Sequence, residues 1–183
     1  MKKIFISLSA AACLFLLSGA AYADDKKTEG KKPEAPEYLV ILVKGHNAFR
    51  LRDYEKALEL YREAAELAPK NAKPLYFIGC AHRALKNYEE AVGSFETAYL
   101  LSVGDDWWKG MASFNIAMTH EAAGKLTEAK KAWKDFTKFA SGKSELATHA
   151  ATADKRIDAI DKYLELDKKY EAVRDRIAKG SSD

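Results

Sequence analysis

The stretch "RDYEKALELYREAAELAPKN", residues 52–71, is echoed by "KNYEEAVGSFETAYLL", residues 86–101, and more loosely by "GKLTEAKKAWKDFTKFA", residues 124–140. Six matched pairs in the first two copies are each 34 residues apart: Gly45 and Gly79, Tyr54 and Tyr88, Ala57 and Ala91, Tyr61 and Phe95, Ala64 and Ala98, Leu67 and Leu101. In the third copy Ala117 follows Gly79 by 38 residues, so four residues are inserted before it. A period of this length is typical of stacked helix-turn-helix units.

The small residues of the repeat predict where the two helices of each unit cross. A large side chain at Gly45, Gly79 or Ala117 would hold the two backbones apart. Alanines at matching places of the second helices, Ala57, Ala91 and Ala129, allow the same close approach from the other side. We expect the aromatic side chains Tyr61, Phe95 and Trp133 to fill the space beside each crossing.

Cap and turn residues predict six helices in the three units. Asp53 and Asn87 suit the residue before a second helix, since their side-chain oxygens can accept a free backbone N–H. Pro69 ends the first unit, and Pro74 suits the first turn of the next helix. The predicted helices are residues 37–50, 53–68, 73–85, 88–101, 106–122 and 126–140.

A further helix is predicted to cap the stack from residue 143 to 179. Its apolar positions step by three and four residues along Leu146, Ala150, Ala153, Ile157, Ile160 and Leu164. Beyond them a second stripe begins in another register, along Tyr163, Leu166, Tyr170, Val173 and Ile177. This second stripe is compatible with a helix folded back along the last repeat, with a dimerising or partner-binding extension, or with a frayed tail.

The repeat resembles the tetratricopeptide repeat family, on the pattern Gly45, Tyr54, Ala57, Tyr61, Ala64 and Pro69 of the first copy and its echoes. The resemblance implies an all-α, right-handed solenoid of about three repeats, residues 37–70, 72–103 and 106–142, closed by the C-terminal helix. Some members clamp a partner's terminal carboxylate with Lys and Asn. The matching places in the first copy hold Leu42 and His46, so a receptor for chaperone tails is not expected.

The N-terminus has the pattern of a secretory signal peptide. A positive start, "MKK", precedes the apolar run "IFISLSAAACLFLL" and the small-residue cleavage pattern Ala21-Tyr22-Ala23. We expect residues 1–23 to be removed and the chain to be periplasmic, without a stable membrane span. An uncut anchor and lipidation at Cys13 are less favoured alternatives. Residues 24–36, charged and with two prolines, are predicted to be a flexible linker.

Composition argues against several function classes. The chain has 30 Lys and Arg against 27 Asp and Glu, and loss of Lys2 and Lys3 with the signal leaves +1, so no nucleic-acid partner is expected. Cys80 then stands alone, which excludes an internal disulfide and a thiolate metal cluster. No catalytic or nucleotide-binding motif is present, and no two of the four histidines have the spacing of a helical metal pair. We therefore predict no enzyme, no cofactor and no metal site.

The first helices of the units are expected to line a concave groove. Its predicted lining is Leu39, Leu42, His46 and Phe49 from copy one; Lys73, Tyr76, Phe77, Cys80 and Arg83 from copy two; and Trp107, Met111, Phe114, Asn115, Met118 and Glu121 from copy three. Such an aromatic and thioether surface suits partner binding. The alternative is a face that the linker or the C-terminal helix covers.

The inserted segment "SVGDDWWKG", residues 102–110, adds two tryptophans beside the third copy. Trp107 falls on the same stripe as Met111 and Phe114, and we expect it to stand at the groove edge as a binding anchor. Trp108 falls nearer the packed side. In the alternative interpretation both indoles fill the gap that the insertion leaves.

The function predicted from these features is a periplasmic scaffold of a Gram-negative bacterium that binds a peptide segment or helix of a protein partner in the groove. Two other roles remain open: an assembly subunit of an envelope complex, with self-association through the C-terminal helix, and a carrier of a hydrophobic small molecule.

Overall fold

The computed structural model describes residues 35–180, and this part of the chain is helical with no strand. Its helices are α1 (Glu37–Arg50), α2 (Tyr54–Leu67), α3 (Ala72–Ala84), α4 (Tyr88–Leu101), α5 (Asp106–Ala122), α6 (Leu126–Ala140) and, after a short 3-10 turn (Ser144–Leu146), α7 (Ala147–Gly180). The predicted signal peptide and most of the predicted linker lie outside the described residues. None of the described helices is long and apolar enough to span a membrane.

The first six helices begin and end within one residue of their predicted bounds. Asp53 caps α2 as expected, since its side chain accepts the backbone N–H of Lys56 at 3.1 Å. The cap predicted for Asn87 is wrong: the residue precedes α4, but its side chain makes no capping hydrogen bond. The backbone closes this turn as it does in copy one: the Asn87 N–H donates to the His82 carbonyl at 2.9 Å, and the Asp53 N–H donates to the Ala48 carbonyl at 3.0 Å.

The turn inside each unit has the same backbone conformation in all three copies. Arg52 and Lys86 have φ of 64°, and Gly124, at the matching place of copy three, has φ of 73°. This left-handed conformation normally costs a residue with a side chain about 1–2 kcal/mol. The first two turns therefore keep a strained residue where the third uses glycine.

The helices of each unit approach closely at the predicted small residues. A Cβ atom added to Gly45 would lie 2.5 Å from the Tyr61 ring, and one added to Gly79 would lie 2.8 Å from the Phe95 ring. In copy three Ala117 is fully buried in one cluster with Trp133. The crossings are therefore filled by one aromatic side chain each, with no space for a larger residue opposite.

The units stack in chain order, α2 on α3 and α4 on α5, and bury apolar clusters between them. Helix α7 then covers α6 through Ala153 and Ile160. The 3-10 turn leads into it with Leu146, which is fully buried and fits against Gly110 of α5. The described chain is thus the all-α helical-repeat solenoid that the repeat predicts, with α7 as its last layer.

The C-terminal half of α7 leaves the body of the solenoid. Tyr163, Leu166, Tyr170, Val173 and Ile177 are exposed by 46–66%. The structure therefore contradicts the interpretation in which this segment folds back along the last repeat. It is a straight continuation of a 34-residue helix.

Replacing Gly79 by alanine is expected to destabilise the fold through a clash with Phe95, whose buried ring cannot move away. Gly93 provides the control, since it also lies within a helix but has nothing within 4 Å of an added Cβ. Both variants gain helix propensity from the added methyl group. The difference between their free energies of unfolding therefore reports the clash alone, and we expect it to be about 1–3 kcal/mol. Urea denaturation measures it; equal stability of the two variants would show that the crossing is not tight.

Candidate peptide-binding groove

An aromatic row connects the first helices of the three units. Its rings are His46 of α1, Phe77 and Tyr76 of α3, and Trp108 of α5. The centroids lie 4.2 Å apart for His46 and Phe77, 5.2 Å for Tyr76 and Phe77, and 5.2 Å for Tyr76 and Trp108, all edge-to-face. This arrangement is the favoured geometry of aromatic pairs. The row forms a continuous half-buried surface from copy one to copy three.

A polar bridge fixes α3 to α5 beside the aromatic row. The Asn115 side chain, 4% exposed, donates to the Tyr76 hydroxyl at 2.9 Å and to the Met111 carbonyl at 2.8 Å. Its carbonyl oxygen accepts from the Arg83 guanidinium at 2.7 Å. Every hydrogen-bonding atom of this buried amide therefore has a partner, and the spacing between α3 and α5 is defined by directional bonds.

Two cations of α3 lie over aromatic rings along the row. The Arg83 guanidinium is 5.8 Å from the Phe95 ring centroid, and the Lys73 ammonium is 5.4 Å from the Trp108 ring. Within the described residues neither cation is in an ion pair with a carboxylate. This section of the groove therefore carries positive charge above an apolar floor.

A pocket of about 500 Å³ opens next to the polar bridge, between α5, α6 and α7. Its lining is Phe114, Met118, Glu121, Ala122, Trp133, Thr152 and Arg156. Phe114 packs edge-to-face on Trp133 at 4.8 Å, and Met118 is 40% exposed. The pocket is thus apolar at its base, with a thioether accessible at its side.

Glu121 holds the α7 wall of this pocket in place. Its carboxylate accepts from the Trp133 indole N–H at 3.2 Å and pairs with the Arg156 guanidinium of α7. The Glu121 side chain is 16% exposed, whereas that of Arg156 is 49% exposed. Arg156 contacts both oxygens of this carboxylate, so removing Arg156 would leave one of them without a partner in a largely buried position.

Burial determines the protonation of the groove side chains. It lowers the pKa of His46, whose Nδ1 is 2.8 Å from the Tyr61 hydroxyl, because the imidazolium is poorly solvated there. It also raises the pKa of Cys80 to about 11, against smaller opposing effects of Arg83 and Tyr76. The thiol is therefore protonated at neutral pH and is a poor nucleophile. Among the described residues no group of three or more His, Cys, Asp or Glu could hold a metal ion.

The structure corrects one predicted lining residue of copy one. Leu42 is 5% exposed and belongs to the buried cluster of α1, α2 and α3, so it cannot contact a partner. Leu39, Phe49 and Phe77 pack against that cluster and are only partly buried. Copy one therefore offers a mostly closed apolar surface, and the accessible groove lies in copies two and three.

One of the two tryptophans of the insertion lies elsewhere than expected. Trp108, expected on the packed side, joins the aromatic row through Tyr76 and Phe77. Trp107 is 38% exposed and contacts His149 at the start of α7, at 5.5 Å between ring centroids. Trp108 shares a helix face with Asn115, seven residues on, and that shared face is the signal that could have placed it in the groove.

The α7 side of the groove was missing from the sequence prediction. His149 packs on Phe114 at 5.2 Å, and Thr152 and Arg156 follow at helical spacing along the same pocket. The predicted residues Met111, Phe114 and Met118 lie on the facing helix α5, as expected. The C-terminal helix thus borders the groove at copy three and leaves the aromatic row uncovered.

Comparison with known families agrees with this architecture. A family model described as "Tetratricopeptide repeat" matches residues 42–106. Residues 42–106 therefore resemble the tetratricopeptide repeat. The chain is 32% identical over 113 residues to the small glutamine-rich tetratricopeptide repeat-containing protein 2 of Saccharomyces cerevisiae, covering 61% of this chain and 29% of that protein. It is 36% identical over 74 residues to the human cell division cycle protein 16 homolog, covering 40% and 12%. The chain thus spans less than a third of these relatives.

Solved repeat structures share the fold at low sequence identity. The type III secretion chaperone SycD of Yersinia enterocolitica, in complex with a peptide of the translocator YopD, superimposes with a TM-score of 0.61 at 15% identity. The alignment covers 71% of this chain and 96% of that chain. The first repeat domain of Spaghetti (RPAP3), bound to an HSP90 peptide, gives 0.57 at 21% identity, covering 72% and 96%. These likenesses concern the fold alone.

Replacing Asn115 by alanine is expected to destabilise the chain by about 1–3 kcal/mol, because Tyr76 and Arg83 lose their shared partner in a half-buried site. Ser113→Ala is the control on the same helix, since Ser113 lines the opposite cleft with Tyr99 and Phe139. It should change stability by about 0.5 kcal/mol or less. Chemical denaturation compares the two. A chain that tolerates both changes equally would mean that the polar bridge does not hold α3 to α5.

Proposed function

We propose that this protein is an exported, periplasmic interaction scaffold that holds a peptide segment or helix of a partner protein in its concave groove. The observation that carries the proposal is that helix α5 contributes to both the aromatic row, through Trp108, and the apolar pocket, through Phe114 and Met118, beside two cations without carboxylate partners among the described residues. Accessible apolar surface of this kind marks binding sites. A binding role, rather than a catalytic one, follows from these groups.

The chemistry of the groove indicates the composition of the bound segment. An apolar side chain fits the pocket between Phe114, Met118 and Trp133. The Arg83 guanidinium is hydrogen-bonded to Asn115, which lies one helical turn before Met118 on α5. A peptide with an apolar side chain in the pocket at Met118 can therefore also bring a carboxylate to Arg83. The expected partner segment therefore combines apolar anchors with one or two acidic residues.

The structural neighbours support a peptide as the occupant. SycD is solved with a peptide of YopD, and Spaghetti (RPAP3) with a peptide of HSP90, so this fold accommodates peptides of other proteins. For this chain the same mode is part of the proposal. A hydrophobic small molecule is the second candidate, because a pocket of about 500 Å³ lies in the size range of small-molecule sites.

Panning a peptide-display library on the purified chain tests groove binding. Met118→Glu should weaken binding of the recovered peptides at least about tenfold, since it puts a charge into the apolar pocket. Leu100→Glu is the control: Leu100 is 70% exposed in the cleft between α4 and α6 and carries the same charge change. Fluorescence anisotropy of labelled peptides gives the affinities.

Peptides that tolerate Met118→Glu as well as Leu100→Glu would place the binding site elsewhere. Failure to recover any peptide, together with an apolar compound retained by the chain in native mass spectrometry, would favour the small-molecule carrier instead.

Export is tested separately by the mass of the mature chain. Expressed with its own N-terminus in a Gram-negative host, the protein should be recovered from the periplasmic fraction beginning at Asp24. Ala21→Leu with Ala23→Leu should block processing, because the peptidase needs small residues at these places. A full-length chain in the cytoplasmic fraction would rule out the exported role while leaving groove binding untouched.

A further inference from the structure

The C-terminal half of α7 carries an uncovered apolar stripe, which we call the C-terminal stripe: Tyr163, Leu166, Tyr170, Val173 and Ile177. The exposed fractions are 58, 52, 63, 46 and 66%, so each side chain keeps about half of its surface in solvent. In the first half of the same helix, Ala153 and Ile160 are buried against α6. The helix therefore has two faces, and only one of them is used by its own solenoid.

The spacing of the C-terminal stripe fits a second helix rather than a solenoid core. Its steps of three, four, three and four residues have a mean of 3.5, which keeps the stripe aligned with a partner helix coiled around it. The stripe covers two heptads, and its edges are charged: Asp167 and Arg174 on one side, Lys169 and Arg176 on the other. These are the positions that flank the seam of a coiled coil.

We propose that the C-terminal stripe pairs with the same stripe of a second copy of this chain, with the two helices antiparallel. In the alignment centred between residues 171 and 172, Leu166 faces Ile177 of the second copy, and Tyr170 faces its Val173. Leu166 and Tyr170 are thus each opposite a β-branched residue, and each contact occurs twice by symmetry. Tyr163 lies opposite Gly180, at the end of the paired region. A parallel pair would instead stack Tyr163 on Tyr163 and Tyr170 on Tyr170.

The charges beside the stripe differ between its two edges. Asp167 and Arg174, which are 3.6 Å apart within one chain, come opposite Arg174 and Asp167 of the second copy, so this edge is attractive. On the other edge Lys169 faces Arg176, which is a like-charge contact, although Lys169 is paired with Glu165 at 2.7 Å within its own chain. In the antiparallel alignment that brings Asp167 opposite its own copy, two acids would meet on the first edge, so that alignment lacks the attractive pairs.

The area of the stripe is enough for a weak dimer. Four half-exposed side chains of each copy meet in this alignment, one of them a tyrosine. Since a large aromatic side chain buries about 150–250 Å², they supply about 300–400 Å² per chain. The pair then buries about 600–800 Å², in the range of weak and transient contacts. We therefore expect reversible association with a dissociation constant of about 1–100 μM.

Sedimentation equilibrium of the full chain over about 1–500 μM tests the proposal. The unmodified chain should shift from monomer to dimer, and Val173→Glu with Ile177→Glu should remain a monomer throughout. Lys168→Glu is the matched control: it also changes the net charge by −2 but lies on the face away from the stripe. At a concentration where the unmodified chain is monomeric, all three should melt at the same temperature, since the stripe is outside the buried clusters.

A monomeric unmodified chain at the highest concentration would overturn the proposal, as would a dimer that survives the double glutamate change. Because the groove variants Met118→Glu and Leu100→Glu do not touch the C-terminal stripe, peptide binding and dimerisation can fail independently.

Disulfide trapping tests the orientation of the helices. In a background with Cys13 and Cys80 replaced by alanine, mixed Leu166→Cys and Ile177→Cys chains should crosslink under mild oxidation, and either chain alone should not. Crosslinking of Leu166→Cys with itself would show a parallel pair and overturn the antiparallel arrangement. Gel electrophoresis without reductant, with and without the Val173→Glu change, gives the result.

Discussion

Close approach of two helices at a residue without a side chain is the constraint on which this solenoid depends. At Gly45 and Gly79 the facing tyrosine and phenylalanine rings occupy the space that a Cβ atom would take. That approach sets the distance between the helices of a unit, and through it the position of the first helices that line the groove. The same device recurs at Gly110, which admits Leu146 and so fixes where the chain turns towards α7.

The rest of the groove is held by polar groups rather than by packing alone. Asn115 connects α3 with α5, and Glu121 connects α5 with α6 and α7. Both are partly or fully buried, and buried polar groups require their partners in defined positions. The aromatic row and the apolar pocket are therefore kept at a constant separation. A preformed site of this kind loses less conformational freedom when it binds.

Local constraints explain why the helices could be predicted and parts of the groove could not. A tight crossing and a turn depend on a few neighbouring residues, so the 34-residue period placed six helices within one residue of their bounds. The burial of Leu42 depended on its surroundings, since residues of α2 and α3 cover it. The missing side-chain cap at Asn87 has no structural explanation, because the turns at Asp53 and Asn87 share the same backbone hydrogen bond. Trp108 and the α7 wall depended on the course of the chain through the insertion and the Leu146 turn, which periodicity does not encode.

Helix α7 also has a mechanical consequence for the molecule. Its 34 residues measure about 51 Å. Roughly the first half packs on α6, and the second half extends beyond it. A tilt of about 5° of the packed half displaces the far tip by about 2 Å over the free length of roughly 25 Å. Thr152 and Arg156 belong to the half of α7 that packs on α6. A ligand in the pocket that tilts this half would therefore displace the far end of the helix by a larger distance.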